Sequence, residues 1–154
     1  MKTSRHFGEI SPTIHSVDAE VALGVERVRV DLNLARPDEL DPAEITTIDQ
    51  LLDEVARLDE SARGMLASLM DNEDAQPAQF WRFHREDVAG YEALEREGFV
   101  AALRLQRIGF YPDGAYGSRA FLVMDYILRE PKTDQVLAVK LQRDATLQTI
   151  AWER

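Results

Sequence analysis

The order of hydrophobic periodicities along the 154-residue chain restricts its fold more than any other feature. Apolar side chains recur at every second residue in two terminal parts, about 20–34 and about 103–153. Between them, over about 42–97, they recur with the helical period. Strands, then helices, then strands is typical of the α+β class. We therefore predict a single α+β domain over 1–154, a two-layer sandwich with a mostly antiparallel sheet of about five to six strands and helices on one face.

The first terminal part is predicted to be a β-hairpin. Apolar and polar residues alternate over 28–34, which predicts a half-buried strand. Val21 and Leu23 are expected in its partner strand, with Gly24 in the turn between them.

The C-terminal part contains four strand-like runs separated by short turn-forming segments, which favours an antiparallel meander. A change of phase near Gln106 and Arg107 predicts a β-bulge. Both faces of the run 121–128 are apolar except at Asp125, so this strand is expected to be central. Because an unpaired buried carboxylate is costly, Asp125 needs an arginine from a neighbouring strand or an open sheet face; a functional carboxylate is the alternative.

The helical middle begins at an N-cap signature, Asp41 followed by Pro42 and by Glu three residues after the cap. The apolar period then continues to Leu69, with a break expected at 59–61. A second helix is predicted to start at Gln76-Pro77, and a short third helix over 91–97 to stop at Gly98.

Composition excludes several classes of protein. The net charge of −10 argues against direct contact with nucleic acid, which requires basic patches. The absence of cysteine removes disulfides and thiolate chemistry. No apolar run reaches the ~18–20 residues of a membrane span, and none of about 7–15 residues follows the basic start as in a secretory signal. We expect a cytoplasmic protein that binds neither nucleic acid nor membrane.

Motifs of catalysis are missing from the sequence. It contains no glycine-rich phosphate loop, no G-x-S-x-G elbow and no H-E-x-x-H helix, and its three histidines are scattered singly. His84 is expected to have a structural or capping role, with a ligand or base as the alternative. The acidic segment 71–74 lacks the spacing and the glycine of a calcium loop, so a solvated loop is expected. We predict no cofactor and no metal.

Acidic residues are concentrated in the middle third, where residues 38–97 contain 17 acids and 5 bases. The exposed side of the first helix is predicted to carry Asp49, Asp53 and Glu54, with Asp53 pairing with Arg57 at i,i+4. Such a surface either keeps the protein soluble or steers a basic partner toward it.

A loop after the first C-terminal strand carries two tyrosines and an arginine, which are residue types that anchor interfaces. A hairpin loop without a binding role is the alternative. Together with the acidic surface, the loop completes the candidate partner-binding residues: Asp49, Asp53, Glu54, Glu60, Asp71, Glu73, Asp74, Tyr111, Tyr116 and Arg119.

Seven short motifs follow one another along the chain, at 6–10, 28–34, 83–86, 108–113, 124–127, 137–140 and 150–154. In that order they resemble a bacterial family known as domain of unknown function two thousand and four. The resemblance implies a two-layer α-β sandwich and brings no activity and no catalytic residues. Two departures are Arg154, where the family has a serine, and Ala145, where a glycine is usual.

Small acidic proteins of this kind are similar in class to bacterial immunity proteins, which bind a cognate toxin. We expect a non-enzymatic protein that neutralises a toxin domain with a basic active-site groove, as a monomer or homodimer. One alternative is an enzyme or small-ligand binder with a pocket between sheet and helices around Asp125, Tyr126 and His84. A second alternative is a homodimeric housekeeping protein.

Overall fold

The computed structural model describes residues 2–153 and shows an α+β fold with helices packed on one face of a six-stranded sheet. The sheet has the strand order β3-β4-β5-β6-β7-β8, and β1 and β2 form a separate two-stranded sheet. The strands are β1 (Lys2–Ser4), β2 (Gly8–Ile10), β3 (Ser16–Leu23), β4 (Glu26–Asn33), β5 (Arg104–Phe110), β6 (Leu122–Ile127), β7 (Val136–Leu141) and β8 (Leu147–Glu153). The helices are α1 (Pro42–Asp53), α2 (Val55–Leu69), α3 (Gln76–Asp87) and α4 (Arg96–Ala102).

The predicted hairpin is confirmed as β3 and β4, joined by a two-residue turn. Gly24 at the first turn position has φ +60, the left-handed conformation that glycine adopts without steric cost. The strands are longer than the sequence indicated and pair from Ser16↔Asn33 to Leu23↔Glu26.

All neighbouring strands of the large sheet are antiparallel except β4 and β5, which are parallel. A parallel pair requires a crossover, and the four helices lie in that crossover between β4 and β5. The predicted meander of four strands is confirmed as β5 to β8, and a register shift between Leu105 and Arg107 confirms the bulge.

The start of the helical region is confirmed, because the Asp41 side chain accepts a hydrogen bond from Ala43 N–H. The predicted break at 59–61 is wrong: the helices separate at Glu54, with φ −110 and ψ 35. The apolar period runs unchanged from Ile48 and Leu52 into Val55, so the period alone could not locate the break.

The predicted short helix over 91–97 is also wrong, since α4 begins five residues later at Arg96 and Gly98 lies inside it. Burial explains why the helix lies later in the chain than expected. Phe99 in α4 and Leu103 directly after it are fully buried, so this segment packs against the core. Tyr91 lies between two turns, and its hydroxyl donates a hydrogen bond to the Pro131 carbonyl.

The core lies between the helices and the face of the sheet that we call the covered face. Its strands contribute Val28 and Val30 from β4, Met124 and Tyr126 from β6 and Val139 from β7, all fully buried. Alternate residues of the same strands point to the opposite side, the uncovered face, which carries the site described next.

Candidate functional site

A network of charged side chains lies at the centre of the uncovered face. Arg107 on β5 donates two hydrogen bonds of 2.6 Å to Asp31 on β4, one from Nε and one from Nη2. Its Nη1 donates to Asp125 on β6 at 3.2 Å, and Nη2 also donates to the Tyr111 hydroxyl at 2.6 Å. The expected arginine partner of Asp125 is therefore confirmed, and Asp31 is a second partner that the sequence did not reveal.

Backbone geometry explains why this network forms. Register places Arg107 directly opposite Asp125, while Asp31 lies opposite Gly109 on the other side of β5. The Arg107 side chain lies flat over Gly109, where a Cβ atom would approach Nη2 to 2.4 Å. Asn33 donates a 2.6 Å hydrogen bond to Asp31, which fixes the carboxylate further. Glycine at 109 thus leaves the space that the guanidinium occupies.

Burial and charge act in opposite directions on this network. Burial lowers the pKa of Arg107, but hydrogen bonds to Asp31 and Tyr111 outweigh it, so the pKa is raised and the guanidinium stays charged. Burial raises the pKa of Asp125, and Arg107 offsets only part of that effect. The pKa of Asp125 is therefore raised, which means that its surroundings disfavour the charged form of this carboxyl group.

A cavity of about 470 Å³ opens beside the network on the uncovered face. Tyr111, Tyr116 and Arg119 line it, so the structure brings these three predicted binding residues together. Lys140 and Glu153 form a 3.0 Å ion pair at its other side. Ala120, Val123 and Ala138 pack beneath as a small apolar cluster with Tyr111. We call this the open-face cavity.

Tyr116 is held in an unfavourable conformation at the rim of the open-face cavity. It has φ 58 and ψ 23, in the left-handed region, between Gly114 (φ 77) and Gly117 (φ 74). The residue is nevertheless 79% exposed, and the other exposed large hydrophobic residues within 2–153 are Ile14 and Val25. Arg119 is exposed and makes no ion pair or side-chain hydrogen bond with any described residue. This loop therefore presents an aromatic ring and an uncompensated cation.

The predicted exposure of Asp49 is wrong, since the residue is only 5% exposed. Its carboxylate accepts hydrogen bonds from Ser4 Oγ at 2.6 Å and from the backbone N–H groups of Arg5 and His6 at 2.9 and 3.3 Å. The small hairpin of β1 and β2 packs on α1 and covers this position. Strands of three residues give too short a periodic pattern to be recognised in sequence.

The predicted pair of Asp53 with Arg57 is also wrong. Asp53 binds Arg5, at 2.5 Å, and lies 2.8 Å from His6 Nε2, while Arg57 lies 3.5 Å from Glu54. Hydrogen bonds from Arg5 and then His6 lower the pKa of Asp53 to about 2. The charge of Asp53 is therefore compensated by the N-terminal segment.

The remaining acidic candidates lie on the helical side of the molecule. Glu60 on α2 and Glu73 and Asp74 in the following loop are exposed and make no ion pair with the described residues. Asp71, with a side chain 91% exposed, lies 3.7 Å from Arg96. The loop 71–74 is solvated, as expected. These residues form the acidic helical surface, and the sheet separates it from the open-face cavity.

The alternative pocket around Asp125, Tyr126 and His84 is not present, because these residues do not share a surface. Asp125 belongs to the uncovered face and Tyr126 to the covered face, where its hydroxyl donates a 2.7 Å hydrogen bond to Asp59. His84 is fully buried; Nδ1 donates to the Phe80 carbonyl at 2.8 Å, and Nε2 lies 3.0 Å from Thr133 Oγ1. Burial lowers the pKa of His84, consistent with a neutral structural histidine.

Within residues 2–153, no three or more side chains of aspartate, glutamate and histidine are placed to hold a metal ion. None of the helices in that range is both long enough and apolar enough to cross a membrane. Arg154, the first of the two departures from the resembled family, lies outside the described residues. Ala145, the second, has φ 66, the conformation that a glycine would adopt more readily.

Comparison with known proteins adds no relative to this picture. No protein-family model, no curated protein and no solved structure matches the chain. The resemblance to the domain of unknown function stays a prediction that rests on its short motifs.

Proposed function

We propose that this protein is a non-enzymatic binding protein of the bacterial cytoplasm, and more specifically an immunity protein that neutralises a toxin domain. Tyr116 carries the proposal. A left-handed backbone conformation costs a non-glycine residue about 1–2 kcal/mol. An exposed aromatic ring also lacks the stabilisation that its burial would supply. A residue that combines both costs, beside an uncompensated Arg119, is typical of an interface anchor.

The state of the charged groups favours binding over catalysis. A general base requires a group free to accept a proton, whereas the carboxylates of Asp31 and Asp125 both accept hydrogen bonds from Arg107. Lys140 and Glu153 likewise form a pair. The open-face cavity therefore offers a shaped, polar surface rather than a reactive one.

The acidic helical surface supports a basic partner, such as a toxin with a basic active-site groove. It does not share a surface with Tyr116, so we assign it to long-range steering rather than to contact. The compensation of Asp53 and the burial of Asp49 restrict this role mainly to Glu60, Glu73 and Asp74. Direct binding of nucleic acid or membrane is not part of the proposal, and the free protein is proposed to be a monomer or homodimer.

A second candidate, a small-ligand binder, is favoured by the open-face cavity. Its volume of about 470 Å³ falls within the range of about 300–1,000 Å³ that is usual for ligand pockets. The ligand would then bind on the uncovered face of the sheet, and not between sheet and helices as the sequence suggested.

Affinity capture tests the immunity proposal. Tagged protein is incubated at low salt with lysate of bacteria that carry the gene, and the retained proteins are identified by mass spectrometry. We expect one stoichiometric partner with a basic toxin-like domain. Its retention should fall at least about tenfold with Tyr116→Ala or Arg119→Glu. Arg57→Glu is the matched control, since it makes the same charge change on the helical side, where the arginine is 79% exposed.

Two results would contradict the proposal. One is a partner retained equally by Tyr116→Ala, Arg119→Glu and the control. The other is capture of no protein from cells in which the neighbouring toxin gene is demonstrably expressed. Association rates measured with the purified partner should fall as salt is added and fall further with charge reversal of Glu60, Glu73 and Asp74.

A further inference from the structure

The outer edge of β3 leaves a row of backbone hydrogen-bonding groups without a protein partner. β3 is the first strand of the six-stranded sheet and pairs only with β4. Leu23↔Glu26 closes the two-residue hairpin, and Leu34 N–H donates to the His15 carbonyl at 2.8 Å. Odd-numbered residues therefore direct their peptide groups toward β4, and Asp18, Glu20 and Ala22 direct theirs outward.

Nothing in the described part of the chain covers this edge. No hydrogen bond from elsewhere in residues 2–153 reaches the peptide groups of Asp18, Glu20 or Ala22. The eight residues of β3 pair with β4 without a bulge, and none is proline. The opposite edge differs, because Gln76 Oε1 on α3 accepts a 3.0 Å hydrogen bond from the outward N–H of Trp152 on β8. Of the two edges of the six-stranded sheet, the edge of β3 is therefore the more accessible to an added strand.

Charge at this edge selects the kind of strand that can be added. Asp18 and Glu20 are exposed on the uncovered face and line a shallow groove with Arg29. Glu20 lies 3.7 Å from Arg27, whereas Asp18 has no ion-pair partner among the described residues and lies opposite another acid, Asp31. Because Arg107 already binds Asp31, a cation arriving at the edge would compensate Asp18.

The same charges disfavour a second copy of the chain. If two copies of the chain paired their β3 strands about a two-fold axis to form one continuous sheet, even-numbered residues of one copy would lie opposite even-numbered residues of the other. The central registers then set Asp18 of one protomer opposite Glu20 of its partner, or Glu20 opposite Glu20. Like charges directly opposite each other destabilise a strand pair.

We infer that β3 binds an extended segment of a partner protein by strand addition, and that this segment carries lysine or arginine at alternate positions opposite Asp18 and Glu20. The backbone groups of β3 supply the hydrogen bonds and the two acids supply the selectivity. The inference goes beyond the proposed function, since it concerns a different surface and does not require the partner to be a toxin.

A peptide titration followed by NMR tests the inference. The probe is the blocked peptide Thr-Lys-Val-Lys-Val-Lys-Val-Thr, and the matched control has glutamate in place of each lysine. We expect the basic peptide to bind and to slow hydrogen exchange at the amides of Asp18, Glu20 and Ala22. The acidic peptide should bind at least about tenfold more weakly.

Two variants locate the binding. Ala22→Pro removes one outward N–H without changing charge, a substitution that edge strands tolerate, and should weaken binding at least about tenfold. The double variant Asp18→Lys with Glu20→Gln keeps every backbone donor and should reverse the preference between the two peptides. It tests the inference even if the proline variant does not fold.

Three outcomes would overturn the inference: no binding of the basic peptide, binding that both variants leave unchanged, or exchange protection away from β3. A dimer in analytical ultracentrifugation that Ala22→Pro dissociates would assign the edge to a second copy instead. Because the two surfaces are separate, failure of the basic peptide to bind would refute this inference and leave the proposed function intact, whereas a captured partner that Tyr116→Ala retains unchanged would refute only the proposed function.

Discussion

The two faces of the large sheet are built from the same strands and yet are stabilised in different ways. On the covered face, Met124 and Tyr126 are buried against helices, and non-directional burial supplies the free energy. On the uncovered face, the intervening residue Asp125 belongs to a network that depends on one arginine, Arg107. The covered face therefore tolerates changes in proportion to the apolar volume removed, whereas the uncovered face depends on the completeness of a single charge network.

Removal of Arg107 should be the largest effect of those considered. Arg107→Met leaves Asp31 and Asp125 without their cation, and loss of one partner of a buried ion pair costs about 3–5 kcal/mol in the free energy of unfolding. Urea denaturation measures the change, with Arg57→Met as control, expected within about 0.5 kcal/mol of wild type. A cost below about 1 kcal/mol would show that water or other groups replace the guanidinium.

Truncation of two adjacent residues on β6 compares the faces directly. Met124→Ala removes a fully buried side chain from the core and should cost about 2–5 kcal/mol. Val123→Ala, on the uncovered face, removes fewer atoms from a small cluster and should cost about 1 kcal/mol. Equal costs would contradict the distinction between the faces.

Gly109→Ala tests the space that the network requires. The new Cβ would lie 2.4 Å from Arg107 Nη2, so the guanidinium, which is held by hydrogen bonds to Asp31 and Tyr111, must shift. Overpacking of this kind costs typically about 1–3 kcal/mol, which we expect to see in thermal unfolding. The double variant with Arg107→Met should show no additional cost from the alanine, because the clash is then absent.

The dependence of stability on pH should have opposite signs at two aspartates. The pKa of Asp125 is raised by burial, so folding favours its protonated form, and wild type should gain stability relative to Asp125→Asn as pH falls from 7 through about 4. The pKa of Asp53 is lowered to about 2, so wild type should lose stability relative to Asp53→Asn as pH falls from about 4 toward 2. Urea denaturation at several pH values measures both differences; equal signs would contradict the assignment.

The sequence predicted the order and type of most elements because their periodic patterns are long. Three details could also be predicted, because each follows from a local rule. They are the cap at Asp41, the bulge beside Arg107 and the need of Asp125 for an arginine.

What the sequence could not show depends on contacts between distant segments. Asp49 occupies a position that a lone helix would expose, and only the hairpin of β1 and β2 buries it. Asp31 reads as an ordinary polar residue of an alternating strand, because its partner Arg107 is 76 residues away. The open-face cavity likewise forms only when the loop of Tyr116 and the strand of Lys140 meet.

The hydrogen bond from Trp152 to Gln76 has a consequence for assembly. Gln76 occupies one donor position of the β8 edge, whereas no side chain within residues 2–153 occupies the edge of β3 in this way. A strand that approached β8 would have to displace the Gln76 side chain from the Trp152 N–H, a cost that is absent at β3. The two edges are therefore unequal, which disfavours growth of the sheet from one copy of the protein to the next.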